Sequence, residues 1–398
     1  MDRKYNEVKV KWVVKVLTIL FTIHCSLFTA SAQRMDNVLE HSKYIQAVDE
    51  YRPAPGQFVN DAPEYEEGNT EADMIRKCNE RIAGKGPTDV DAHIIALGGW
   101  GGYITFHFDH SIVNLPGQRD FAIWGNAYQE MKNLVFGGMN EAGIVMVSKD
   151  VNGNGKPDDP WYEISGSCDK DSIGKVDYGY EVTYHKNPMG NIPWTDNRGN
   201  SGTIDRIMPW HTQEYYPEWL PDGLTFQGTR LPDNMVDLSK EVDSNWSTWY
   251  YVLKGFAYGY ADNLPNFTDD ADATSYNYEG CGIDISWAVD DDRLPVNLDF
   301  IDFVRVYTGL NQKCPAPNWW GETSTEIISA EDIHLESSLD AIRQATGMSD
   351  LESGDRSQET GVVFDLQGHR IPTDSRLPTP DSFLKGLYIQ NRKKIIIK

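Results

Sequence analysis

The sequence predicts an all-β protein: an antiparallel β-sandwich or jelly-roll-like main domain with long loops, followed by a small β tail. Three observations predict it. The chain has 398 residues, of which 40% are hydrophobic and 12% aromatic, enough to build a sizeable core. It is rich in Gly (34), Tyr (20) and Trp (12), a composition that suits short strands and ordered loops better than helices. Between residues 93 and 310, short apolar or alternating runs recur, separated by Gly, Pro, Asn and Asp, and no convincing amphipathic helix interrupts them.

The N-terminus reads as a signal peptide over residues 1–32. Arg3, Lys4, Lys9, Lys11 and Lys15 make a basic lead, "VVKVLTILFTIHCSLFTA" is the apolar stretch, and Ala30-Ser31-Ala32 fits the small-x-small cleavage rule. The strictly apolar part, Val16 to Ile23, is too short to span a bilayer. The expectation is an exported chain starting at Gln33, at the cell surface or extracellular, with no membrane span after processing.

Residues 33–90 are polar and mixed. Within them "EADMIRKCNERIAG" predicts a short helix, because Met74, Ile75, Cys78 and Ile82 recur at helical spacing and Gly84 stops it. Residues 91–335 carry the strands of the sandwich domain. "HIIAL", "FAIWG", "GIVMVSKD", "WYEISG", "YEVTYH", "LTFQGTRL", "YVLKGFAYGY", "GIDISWAV" and "FIDFVRVYTG" are the apolar runs. "YITFHFDH" alternates, with Ile104, Phe106 and Phe108 facing one way and Tyr103, Thr105, His107 and Asp109 the other. Gaps such as 186–223 exceed hairpin length and predict long surface loops. Residues 336–360 are polar and weakly patterned and read as a linker. Residues 361–398 form a compact tail of two or three strands.

Charge and cysteines narrow the partners. The formal net charge is −24, which argues against nucleic acid and anionic membrane, both of which need a positive surface. Beyond the signal peptide the cysteines are Cys78, Cys168, Cys281 and Cys314. None has zinc-site spacing. In an oxidising compartment they allow one or two disulfides, with the pairing open.

One segment has the chemistry of a cation loop. "DVNGNGKPDD" places Asp150, Asn152, Asn154 and Asp158 at near-alternate positions around Gly155, matching the first part of an EF-hand-type loop. Calcium takes 6–8 oxygen ligands, and alternate side chains in a tight turn converge on one point. Lys156 would contribute its backbone carbonyl. Trp161 stands where the bidentate Glu belongs, so Asp159 or Glu163 must supply the last oxygens. The expected ion is Ca2+ in a structural role. The competing reading is an Asx/Gly turn that needs no metal.

Aromatic side chains in loop-like context mark candidate ligand contacts, since ring faces stack on sugars and other rings while neighbouring polar groups hydrogen-bond. The glycine-flanked Trp100, then Tyr103, His107 and Asp109, and the loop residues Trp194, Trp210, His211 and Trp249 are the set. Alternation puts His107 and Asp109 on one face and His110 on the other, which disfavours a metal held by all three. The "GGWGG" segment lacks the spacing of a dinucleotide loop and the Lys-Ser/Thr of a phosphate loop. No carboxylate pair for hydrolysis can be singled out among 60 acidic residues.

Two resemblances add to this. "VFDLQGHRI" and "LKGLYIQNRKKIIIK" resemble the C-terminal sorting domain of type IX secretion cargo of Bacteroidetes. That implies recognition of residues 361–398 by outer-membrane secretion machinery. Over about residues 51–335, "IALGGWGGYITFHFDHSIVN", "EAGIVMVSKDVNGNGKPDDPWYEISGS", "IPWTDNRGNSG", "LDFIDFVRVYTGLN" and "GETSTEI" resemble a Bacteroidetes family known generically as cell surface proteins and associated with cobalamin-uptake loci. That implies ligand capture beside an outer-membrane transporter and brings no catalytic residues with it. The expected function is non-catalytic binding of a small molecule or glycan, with a corrinoid or a glycan as ligand. A jelly-roll glycan hydrolase or lyase, and a purely adhesive surface protein, are the alternatives.

Overall fold

The computed structural model describes residues 41–88, 90–132, 135–169, 174–207, 211–238, 251–268, 275–314, 321–346, 363–364, 370–371, 386–390 and 393–397. The expected signal peptide lies outside them. The described residues are mostly strand, arranged as several antiparallel sheets in an all-β, sandwich-like fold.

The elements that position the site are, in chain order, β1 (Ala47–Arg52), α1 (Glu71–Ile82), β2 (Tyr103–Val113), β3 (Phe121–Trp124), β4 (Gly143–Ser148), β5 (Trp161–Ile164), β6 (Asp177–Tyr184), β7 (Ile192–Asp196), β8 (Ser201–Ile204), β9 (Leu224–Arg230), β10 (Ala288–Val289), β11 (Phe300–Thr308), β12 (Ser329–Asp332) and α2 (Leu335–Thr346). The main sheet runs β1-β2-β11-β4-β5-β10, with Tyr260–Ala261 also pairing β4. A second sheet runs β8-β7-β6-β9, and β3 is flanked by Gly282–Ile283 and β12.

The register makes the main sheet two-faced. On one face Ile104, Phe106, Val145, Val147, Val304 and Val306 are cross-strand neighbours and join the largest core cluster. On the other face the rows are polar and aromatic. Arg52, Tyr103 and Tyr307 oppose one another; Glu50, Thr105, Arg305, Met146 and Glu163 form the next row; His107, Phe303, Ser148 and Trp161 the third. Period-2 alternation alone produces this division.

The predicted helix at 71–84 is α1. Thr70 and Asp73 form a capping box, and Met74, Cys78 and Ile82 are its buried face. Asn79 accepts from the Val48 N–H at 2.8 Å, tying α1 to β1. Residues 33–90 were expected as a separate mixed segment. Within them, β1 is an edge strand of the main sheet.

Three further expectations change. The linker over 336–360 begins as α2: Leu335, Leu339 and Ile342 repeat at helical spacing, Leu339 is buried, and the Ser338 hydroxyl accepts from the Val113 N–H at 3.2 Å. The long loop at 186–223 contains the hairpin β7–β8. Its strands carry Pro193 and Gly202, which mask strand propensity; packing of Trp194 over Gly202 holds them. Among the described residues Cys78, Cys168, Cys281 and Cys314 are all buried, and none is joined to another by a disulfide. The tail strands Val363–Phe364, Arg370–Ile371, Gly386–Gln390 and Lys393–Ile397 pair antiparallel.

Candidate functional site

The polar face of the main sheet is open where the second sheet meets it. β9 brings Thr225, Phe226 and Gln227 alongside Arg52, Tyr103, Arg305 and Tyr307, enclosing a groove of about 240 Å³. The Tyr103 and Phe226 rings meet edge to face with centroids 6.5 Å apart.

Arg305 is the most constrained residue of the groove. Its guanidinium lies 4.8 Å from the Tyr103 ring centre and 4.3 Å from that of Trp161, a geometry that favours a cation over the ring faces. It donates to Glu50 Oε2 at 2.6 Å and, through Nε, to the Thr105 hydroxyl at 2.9 Å. Thr105 in turn donates to Glu50 at 2.7 Å. Nη1 keeps its donors uncommitted among the described residues. Arg52, two residues along β1 from Glu50, has no side-chain hydrogen bond or ion pair among the described residues. No carboxylate lines the groove among the described residues. In a chain of net charge −24, this is a local reversal of sign.

The sequence-predicted ligand residues separate under the structure. Tyr103 lines the groove. His107 lies on the same face, with Nδ1 held 2.8 Å from Asp49 and its ring edge-on to Phe303. Trp100 is 1% exposed and packs edge-on against Tyr180 in the core of the second sheet, so it is a core residue and not a displayed one. Asp109 contacts His110 Nδ1 at 2.6 Å, while His110 Nε2 meets Asp332 at 2.8 Å; this pair ties β2 to the end of β12. Trp194 packs onto the second-sheet core. His211 packs edge-on to Phe58 at 4.8 Å, and burial lowers its pKa. Asp109, Trp194 and His211 are not brought to the groove lining. Trp210 and Trp249 lie outside the described residues. Sequence reading missed Arg52, Arg305 and Phe226, which are scattered through the chain. The signal for Arg305 was a charged residue inside the apolar run "FIDFVRVYTG".

The 150–159 loop folds as a nest around Asp150. Oδ1 accepts from the Gly153 and Asn154 N–H groups at 2.7 and 3.1 Å, and Oδ2 from Gly155 at 2.8 Å. Asn152 and Asn154 donate their amides to Asp158. The Lys156 carbonyl accepts from Asp158, and Asp159 accepts from the Val151 N–H at 3.0 Å. Glu163 does not join. Its oxygens meet Arg293 at 2.6 Å and the Thr229 hydroxyl at 2.5 Å on the sheet face, because alternation along β5 turns it toward β9 and away from the loop. The remaining donor set, two aspartates, two asparagine carbonyls and a backbone carbonyl, fits a hard, oxygen-seeking cation.

A second acidic group was not foreseen. Glu141, Asp262 and Glu326 are buried with their carboxylate oxygens within 4.8 Å of one another, close enough to share protons or hold a cation. Asp262 accepts from the Asn126 and Ala127 N–H groups at 2.8 Å and from Glu326 N–H at 2.9 Å. Glu141 accepts from Ser324 N–H at 3.1 Å. Burial pushes Asp262 up to about 7. Burial, reinforced by the neighbouring acids, pushes Glu141 and Glu326 well above the carboxylate range. Glu322, also buried, rises to about 7. These groups favour the neutral carboxylic acid form.

Compared with known proteins, the chain matches no family model and no curated protein.

Proposed function

We propose that this chain is an exported cell-surface ligand-binding protein that captures a small molecule or glycan in the groove without chemically altering it. The observation that carries this reading is the groove itself: aromatic and cationic side chains, held by a rigid sheet, beside β9. Glycoside hydrolysis needs two carboxyl groups flanking the bond. The groove lining has none among the described residues, which supports binding over hydrolysis. Its volume of about 240 Å³ suits one sugar ring better than a corrin macrocycle, so glycan leads corrinoid. Nutrient capture for an outer-membrane transporter, and delivery by secretion machinery acting on residues 361–398, complete the proposal and rest on the sequence resemblances.

The test is a glycan array with cyanocobalamin as an added ligand, read with the wild-type chain and with Thr225→Trp. Thr225 is exposed at the groove edge, on the face of β9 opposite Phe226 where its hydroxyl meets that of Thr183, so an indole there is expected to obstruct the groove mouth without disturbing the core. Capture lost in the variant is the expected result. Equal capture by both proteins, or none by either, would overturn the assignment.

The same proposal gives the 150–159 loop a structural Ca2+, with Asp150, Asn152, Asn154, Asp158 and the Lys156 carbonyl as donors and Asp159 closing the turn. Added calcium is expected to protect the loop from proteolysis, and Asp150→Ala to abolish that protection. Cleavage at the same rate with calcium and with chelator would mean the turn stands on its own hydrogen bonds.

A further inference from the structure

Resting on the groove as the ligand seat, we propose that it selects a saccharide carrying a carboxylate: the sugar ring against Tyr103 and Phe226, the carboxylate between Arg52 and Arg305. Three observations carry the charge requirement. Arg52 and Tyr103 are direct cross-strand partners, and Tyr103 is in turn opposed by Tyr307, so Arg52 stands at the rim of an aromatic row. Its guanidinium has no side-chain partner among the described residues. Arg305 is immobilised by Glu50, Thr105 and two ring faces, yet keeps Nη1 uncommitted among the described residues.

An arginine held this way has lost its rotamer freedom before the ligand arrives, and its planar fork matches a carboxylate. An immobilised cation without a complete set of acceptors favours an anion. Glu50 offsets one of the two charges, which leaves a net charge of one for the ligand to neutralise. The exposed Gln227 at the groove edge offers its amide to ring hydroxyls, while the Thr225 hydroxyl is paired with that of Thr183 at 2.8 Å. The overall negative charge would repel a polyanion, so a short segment with one seated acid is the expected ligand.

The experiment is calorimetric titration of the full chain with a trigalacturonate, its methyl ester and a sulfated neutral trisaccharide. The acid is expected to bind about tenfold or more tightly than the ester, and its affinity should fall as salt rises. Arg52→Gln is expected to remove that preference, and Arg52→Lys to restore part of it. Ester and acid bound equally, or acid binding unchanged in Arg52→Gln, would overturn the charge requirement. The groove reading would survive that result if Thr225→Trp still blocked both ligands. Failure of the acid to bind at millimolar concentration, or preference for the sulfate ester, overturns the carboxylate assignment. Whether the groove reading fails with it is decided separately, by the array comparison of wild type with Thr225→Trp.

Discussion

Gly98→Ala is expected to abolish folding of the main domain. Gly98 has φ +71°, a conformation that L side chains rarely adopt. A Cβ there would lie 2.0 Å from the Ala54 carbonyl oxygen and 2.8 Å from Val59 Cγ1. The first clash is with backbone, which cannot rotate away. The segment is also tied on both sides: Gly98 N–H donates to the Ser324 hydroxyl at 3.0 Å, and the Thr308 hydroxyl donates to the Gly98 carbonyl at 2.8 Å. Strain and overpacking together exceed about 4 kcal/mol, at the extreme of single substitutions. Gly117 is the control. Its φ is +70°, but nothing lies within 4 Å of an added Cβ, so Gly117→Ala should cost about 1–2 kcal/mol. Soluble expression and a thermal melt read both. A Gly98→Ala protein melting as high as Gly117→Ala would show that the tight approach at Ala54 is not required.

Glu326→Gln is expected to stabilise the protein at pH 8 and to flatten its pH dependence. Glu326, Glu141, Asp262 and Glu322 are raised in the folded state by burial, and Glu326 and Glu141 also by the neighbouring acids. In the unfolded chain they titrate near the ordinary carboxylate value of about 4. The folded state therefore binds more protons than the unfolded state across the interval between. Stability from the protonated acids is full below about pH 4, falls as pH rises, and for Asp262 and Glu322 is lost through about 7. A tenfold difference in proton affinity between the folded and unfolded chain corresponds to about 1.4 kcal/mol. A glutamine in place of Glu326 keeps the shape and removes the need for a proton. The gain should be about 1–3 kcal/mol at pH 8 and near zero at pH 4. Thermal melts of both proteins between those limits are the measurement. A wild type that melts above the variant at pH 8 only when divalent cation is added would mean that a cation and not protons holds the three acids together.

The groove and the acid cluster differ in how far the sequence revealed them. Alternation in "YITFHFDH" placed Tyr103 and His107 on the polar face, and the register agrees. Yet the groove needs Arg52, Arg305 and Phe226 from three other strands, and no local pattern announces a cross-strand row. The acids at 141, 262, 322 and 326 are four among 60. Their burial is a property of where three distant chain segments meet, so spacing carried no hint of it.

Local chemistry is what the sequence by itself determined. Hydrophobic alternation set the all-β class and the two faces of β2. Thr70 and Asp73 set the start of α1, and the Asp/Asn/Gly spacing set the turn at 150–159. Only the tertiary structure decided which strands became neighbours. Pairing of β1 with β2 set Ala47–Arg52 at the edge of the main sheet, packing of Leu339 made a helix of an expected linker, and β5 turned Glu163 away from the loop it was expected to complete. The physical reason is range. Backbone preferences and turn chemistry act over a few residues, whereas burial and cross-strand contact depend on partners far away along the chain.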